Sequence, residues 1–296
     1  MVFKGSGVAL VTPFREDNIY EVDYDKLRDL VGLHVMNNTD AIIVCGTTGE
    51  SATMTDEEKS LVLATAKMVS SGRVPVIAGT GSNDTRHAAE LSIKAEQLGA
   101  DALLIVTPYY NKCTQEGLIL HYKRIAECVS IPIILYNVPS RTGVNIEPGT
   151  VLELSKIPNI VGIKEASGDL KQIKEIIKLT KSLDKDFAVY SGNDDQIYDI
   201  LDLGGDGVIS VLANVRPKDT HKICEYYFAG DKEKSKKLQE LYQPLIKALF
   251  NEVNPIPIKT ALEIEGYNVG IPRLPLTKGT EETEQILIRE LKKTEE

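Results

Sequence analysis

Lys164 lies in the segment Asn159-Ile160-Val161-Gly162-Ile163-Lys164-Glu165-Ala166-Ser167-Gly168-Asp169. The run from Ile160 to Ile163 is short and β-branched and follows Pro158, which predicts a buried strand. A lysine at the end of such a strand stands where apolar walls meet an open mouth. Burial disfavours an ammonium, and only a neutral amine attacks a carbonyl. Residue type and setting therefore suit a nucleophile that forms a Schiff base with a ketone. A strand-end lysine can also run its stem along apolar surface and leave its charge in water. The polar groups at the other strand ends weigh against that plainer role.

Gly46-Thr47-Thr48-Gly49-Glu50-Ser51 follows a second apolar run. Its two adjacent hydroxyls and glycine-exposed amides can cradle a small anion, although the same residues also suit a plain turn. Tyr136-Asn137-Val138-Pro139-Ser140-Arg141-Thr142-Gly143 ends another run. Tyr136 offers a phenolic proton, and Arg141 offers a planar fork for a carboxylate. Tyr109 and Tyr110 form a loop pair of a kind more usual in packing or interfaces. Phosphate-binding barrels often use the loops after strands seven and eight. Here those loops read Ser191-Gly192-Asn193-Asp194-Asp195 and Val211-Leu212-Ala213-Asn214, with two acids and no nearby base. A small carboxylate is therefore expected, not a phosphorylated substrate.

These residues need elements to position them. Eight short apolar runs recur: Val8 to Val11, Ala41 to Val44, Val74 to Ala78, Ala102 to Val106, Pro132 to Tyr136, Ile160 to Ile163, Phe187 to Tyr190 and Gly207 to Ser210. They are continuous instead of alternating, as strands buried on both faces are. Amphipathic segments separate them. Asp23 to Asn37 places Leu27, Leu30, Val31 and His34 on one stripe, and Thr55-Asp56-Glu57-Glu58 opens another helix with a capping box. Eight such units predict an α/β fold, a (β/α)8 TIM barrel over residues 1–229 with a small C-terminal helical appendage over 230–296. A doubly wound sheet shows the same alternation, but no G-x-G-x-x-G follows the first strand. In the appendage, helices are expected at Lys232 to Phe250 and Glu281 to Lys293, with Pro255, Pro257, Pro272 and Pro275 punctuating the chain between them.

The 296 residues are 42% apolar and carry a formal net charge of -9. An acidic surface repels phosphate backbones, so nucleic acid is not an expected partner. No segment approaches the roughly 20 apolar residues of a membrane span, and the first residues lack the apolar core of a signal peptide. The scattered Cys45, Cys113, Cys128 and Cys224 fit reduced thiols in a cytoplasm. The histidines show no metal-binding spacing, so no metal is expected.

The Gly46–Ser51, Tyr136–Gly143 and Gly162–Ala166 motifs together resemble the dihydrodipicolinate synthase family, and the likeness runs to Arg273-Leu274-Pro275-Leu276-Thr277. The lysine and tyrosine motifs also occur in N-acetylneuraminate lyase and 2-keto-3-deoxy sugar-acid aldolases; Ser140-Arg141-Thr142 is the narrower marker. The resemblance implies condensation of pyruvate with L-aspartate-4-semialdehyde. Lys164 would form the imine and Tyr136 would shuttle protons. Thr47 would link Tyr136 to Tyr110, which would reach into a neighbouring subunit's site. Thr48 would bind the carboxylate of pyruvate, and Arg141 that of the second substrate. Gly192 and Ile209 would shape the keto-acid pocket. No cofactor is implied. A homo-oligomer is implied, a tetramer built as a dimer of tight dimers. Two other readings are a lyase for a sugar keto acid and a non-catalytic keto-acid binder on the same fold. Lysine feedback is expected to be weak or absent. Ser51, Ala52, Asn83 and Tyr109 match the family's lysine site, but Asp56 and Lys59 replace its histidines and His87 its glutamate.

Overall fold

The structure is a computed structural model that describes residues 1–183 and 185–294. Among the described residues, eight parallel strands close into one barrel in chain order. They are β1 (Gly5–Ala9), β2 (Ala41–Val44), β3 (Val76–Gly79), β4 (Ala102–Val106), β5 (Ile133–Asn137), β6 (Ile160–Glu165), β7 (Ala188–Ser191) and β8 (Gly207–Ser210). The helices of the barrel are α1 (Tyr24–Met36), α2 (Asp56–Ser70), α3 (Thr85–Gln97), α4 (Gln115–Ala126), α5 (Pro139–Thr142), α6 (Pro148–Ser155), α7 (Leu170–Thr180), α8 (Ile197–Leu203) and α9 (Pro217–Phe228). Then come α10 (Lys232–Ala248), α11 (Ile256–Ile264) and α12 (Glu281–Lys292). The (β/α)8 barrel expected from the sequence is the fold.

Successive strand residues point to opposite faces. In β2, Ile42 and Val44 pack outward with Leu27, Leu30 and Val31 of α1, while Ile43 packs inward with Ile77, Leu104 and Ile209. Both faces are buried, so such strands read as unbroken apolar runs. The helices begin and end on local signals. Thr55 and Glu58 form the reciprocal capping box of α2. Gly99 and Gly204, just past α3 and α8, take positive φ values of 82° and 102°.

Besides shifts of one or two residues at other ends, three differences from the sequence expectation bear on the barrel and its site. The first strand is Gly5–Ala9, not Val8 to Val11. Glycine-rich residues carry no apolar signal, yet they close the barrel through the register Gly5↔Gly207. A Cβ on Gly207 would lie 1.9 Å from the Gly5 carbonyl oxygen, so only glycine permits that approach. β6 continues to Glu165 and puts Lys164 within the strand. Finally, Pro255 and Pro257 do not merely interrupt the chain. They stand at the N-cap and in the first turn of α11, where a missing N–H costs nothing.

α10 packs on α9, α12 packs on α10 and α11, and α11 touches the short 3-10 turn Leu212–Asn214 after β8. The segment between α10 and α11 thereby brings Phe250 and Asn254 to the carboxyl ends of the strands.

Candidate active site

Lys164 is only 5% exposed, so its side chain does not run out to solvent. It is the register partner of Tyr136 on β5. Its Nζ lies over the Tyr136 ring, 4.5 Å from the centroid, and the ring's electron-rich face attracts an ammonium. Both side chains border a cavity of about 190 Å³ at the carboxyl ends of the strands. Clefts for drug-sized ligands measure about 300–1,000 Å³, so this one fits a molecule of a few heavy atoms.

Thr47, Thr48, Arg141 and Gly192 border the same cavity. The glycine is sterically required. A Cβ at position 192 would lie 2.5 Å from Ala166 Cβ and 3.1 Å from Lys164 Cε. Two residues of the expected set are not brought to the cavity. Ile209 is buried inside the barrel, packed with Ala9, Tyr136 and Tyr190, and does not border it. Tyr110 is 92% exposed in the loop after β4 with φ at 71°, outside the cavity of its own chain.

The loop carrying Thr47 and Thr48 is anchored from below. It turns at Glu50, whose φ is 54°. Glu50 forms a fully buried ion pair with Lys259 of α11 at 2.7 Å and accepts from the Arg273 backbone N–H at 2.9 Å. Burial pulls Lys259 down to about 8, against the pull of the Glu50 charge. Arg273 also pairs with Glu58 at 2.6 Å. The C-terminal region therefore holds the hydroxyl loop in place.

Two buried carboxyls, Glu165 next to Lys164 in β6 and Asp194 after β7, hold the surrounding loops. Glu165 accepts from Asn137 Nδ2, the Ser167 backbone N–H and Gln172 Nε2, and burial raises its pKa against those bonds. Asp194, after β7, accepts from the backbone N–H groups of Val211 and Leu212, each at 2.9 Å. Burial raises Asp194 too, while hydrogen bonds and the Lys164 charge oppose it. Asp194 thus ties the β7 loop to the β8 loop.

Asn254 is absent from the sequence-derived set. Its Nδ2 donates to Thr48 Oγ1 at 3.0 Å, and its backbone carbonyl accepts from Arg141 Nη2 at 3.2 Å. Its sequence signal was an Asn-Pro pair, which marks a turn and no chemistry. A larger cavity of about 580 Å³ adjoins the first and shares Thr47, Val138, Arg141 and Asn254 with it. An amine at the floor, hydroxyls and an arginine on the walls, and a phenol beside the amine suit imine chemistry on a small keto acid.

Comparison with known proteins agrees in fold and sequence. Residues 2–294 match the Dihydrodipicolinate synthetase family. A 4-hydroxy-tetrahydrodipicolinate synthase of Caldicellulosiruptor saccharolyticus is 58% identical over 290 residues, covering 98% of this chain and 96% of that protein. The crystal structure of dihydrodipicolinate synthase from Thermotoga maritima matches with a TM-score of 0.96 at 46% identity, covering 99% of this chain and 98% of that one. A chloride-inhibited dihydrodipicolinate synthase from Acinetobacter baumannii, complexed with pyruvate, matches with a TM-score of 0.94 at 46% identity over 98% of each chain.

Proposed function

The chain belongs to the dihydrodipicolinate synthetase family, and we propose that Lys164 is the amine on which its reaction runs. The activity is that of a 4-hydroxy-tetrahydrodipicolinate synthase, a lyase that joins pyruvate to L-aspartate-4-semialdehyde in the first committed step of diaminopimelate and lysine biosynthesis. Lys164 Nζ adds to the ketone carbon of pyruvate, and loss of water leaves an imine. The imine draws electrons from the methyl group, which gives up a proton and becomes an enamine. The enamine carbon attacks the aldehyde carbon and forms the new carbon–carbon bond. Attack by the substrate's own amine on the imine carbon then closes the ring and releases Lys164.

Each step moves a proton, and Tyr136 is the phenol beside the amine. Thr47 continues the relay toward the mouth. Thr48 takes the carboxylate of pyruvate and Arg141 that of the semialdehyde. Gly192 supplies the space in which the lysine stem lies. Ile209 acts through the packing of the barrel interior, as a support of the pocket. Tyr110, exposed on its own chain, completes the relay of a neighbouring copy. The active protein is therefore a homo-oligomer, with a tight dimer as its minimum and a tetramer of two such dimers as its full state. No helix among the described residues is long and apolar enough to cross a membrane, and a cytoplasmic location suits a biosynthetic enzyme of this kind.

The observation that carries this reading is a buried Lys164 over the Tyr136 ring at the floor of a cavity sized for a small acid. Borohydride reduction in the presence of pyruvate is expected to leave one reduced pyruvyl group, on Lys164, by peptide mass spectrometry. Lys164→Ala is expected to lose both the adduct and turnover with the semialdehyde. A label on another lysine, or an active Lys164→Ala, would overturn it.

A further inference from the structure

Asn254, with Phe250, brings the C-terminal region to the cavity, and it is 5% exposed. Its side chain meets Thr48 and its backbone meets Arg141. These are the two groups read above as carboxylate binders, so a single residue of the appendage touches both polar walls of the site.

The direction of the Thr48 contact matters. A hydroxyl has one proton and two lone pairs. Asn254 Nδ2 donates, so it occupies a lone pair of Thr48 and leaves the proton for another acceptor. A carboxylate is an acceptor only, and it needs such a donor. Were an acceptor placed at the Asn254 side chain instead, it would take the Thr48 proton and turn a lone pair toward the anion.

We propose that Asn254 is a positioning residue for pyruvate: its amide fixes the Thr48 hydroxyl as a donor to the keto-acid carboxylate. The proposal rests on the reading of Lys164 and Thr48 given above. The side chain acts on Thr48 while the backbone carbonyl acts on Arg141. A side-chain substitution should therefore disturb one substrate and spare the other, which a general loosening of the C-terminal region would not do.

The test is borohydride trapping as a function of pyruvate concentration, together with steady-state rates in which each substrate is varied. Asn254→Ala is expected to raise the pyruvate concentration for half-maximal trapping by up to about tenfold, the upper end of what one neutral hydrogen bond contributes. Its trapping yield at saturating pyruvate, its kcat and its KM for the semialdehyde are expected to match the wild type. Asn254→Asp, equal in size, presents acceptors only and adds a negative charge. It is expected to shift pyruvate further than the alanine does, and it carries the test if Asn254→Ala does not fold. In a Thr48→Val background, Asn254→Ala is expected to add nothing, because the partner through which it acts is gone. An unchanged pyruvate requirement in both Asn254 variants overturns the proposal, as does a joint rise in KM for both substrates. A wild type that is never trapped overturns this proposal and the Schiff-base reading together. A wild type trapped normally beside unaffected Asn254 variants overturns this proposal alone.

Discussion

Tyr136 and Lys164 occupy the same level of neighbouring strands, with the lysine nitrogen 4.5 Å from the centre of the tyrosine ring. Barrel register fixes that pairing, so the phenol and the amine cannot be separated without breaking β5 from β6. Tyr136→Phe keeps the ring that walls the cavity and removes only the hydroxyl with its exchangeable proton. Turnover is expected to fall by about 10²–10⁴, the usual worth of a general acid–base group. The variant is still expected to be trapped on Lys164 with pyruvate and borohydride. Steady-state rates and mass spectrometry measure both quantities, and full turnover in Tyr136→Phe would remove the phenol from the proton transfers.

Gly192 gives a steric test of the same floor. Its missing side chain leaves the space in which Ala166 and the Lys164 stem lie, and a Cβ there would also sit 3.0 Å from the Glu165 carbonyl oxygen. The Glu165 carbonyl accepts from the Gly192 N–H at 2.7 Å, so the two backbones cannot move apart freely. Gly192→Ala must therefore push the lysine stem. Turnover is expected to fall by about 10²-fold, as small misplacements of a reacting group do. Overpacking is expected to lower stability by about 1–3 kcal/mol. Kinetics and urea unfolding on the purified variant report the two effects separately, and wild-type values in both would show that the floor is more open than the geometry says.

The reach of the sequence can be judged from these same residues. Strand-helix alternation is legible because each strand is buried on both faces and so reads as an apolar run. β1 is displaced because Gly5 and Gly7 are buried against the side chains of Asp40, Ile43 and Phe3 and have no side chain of their own to leave an apolar signature. α11 is hidden because prolines read as breakers, whereas Pro255 and Pro257 occupy the one part of a helix that tolerates them. Lys164, Thr47, Thr48 and Arg141 stand out as polar groups at strand ends. Tyr110 has no such signal and enters only through the family resemblance. Asn254 is invisible for a different reason: its importance comes from contacts with residues 113 and 206 positions away.

Burial of histidine makes the fold sensitive to acid. His34 is fully buried on α1 with Nδ1 2.9 Å from Thr39 Oγ1, and burial pulls its pKa down to about 3. His121 is pulled down to about 4, mainly by burial and against the charge of Asp84. In an unfolded chain both titrate near 6.5. The unfolded chain therefore takes up protons that the folded one refuses as pH falls from about 6.5 toward 4. Their contribution to stability is complete above that window and is lost on going down through it. His221 behaves oppositely: its hydrogen bond to Asp40 raises its pKa, so its contribution is present below about 6.5 and is lost as pH rises through the folded value. His34→Gln cannot titrate. Its unfolding free energy is expected to fall less steeply with acid than that of the wild type, by about 1.4 kcal/mol per pH unit. Urea unfolding at several pH values measures the difference, in which the carboxylates common to both chains cancel. Parallel pH profiles would mean that His34 takes its proton without unfolding.

Lysine feedback is expected to be weak or absent. The larger cavity is bordered by Ser51, Ala52, Asp56, Lys59, His87 and Tyr109, the region in which the family resemblance places a lysine site. Among the described residues two carboxylates border it: Glu50, which is held by Lys259, and Asp56, which is left to meet an ammonium. That carboxylate is already occupied: Lys59 Nζ lies 3.1 Å from one oxygen and His87 Nε2 lies 3.0 Å from the other. The His87 hydrogen bond is the main reason that the Asp56 pKa is lowered, with the Lys59 hydrogen bond and charge adding to it. A lysine ligand brings two ammonium groups toward the Lys59 charge. Like charges about 4 Å apart repel by about 1–4 kcal/mol, depending on how much water screens them. Either the ligand goes without an anionic partner or it displaces Lys59 from Asp56, and both weaken binding. Turnover measured with and without L-lysine, at limiting and at saturating pyruvate, is expected to be unchanged at sub-millimolar lysine. Lys59→Ala is expected to increase any inhibition seen at higher concentrations, because it frees Asp56 and removes the opposing charge. Strong partial inhibition of the wild type at sub-millimolar lysine would show that the cavity binds the ligand through other groups and that the charge argument fails.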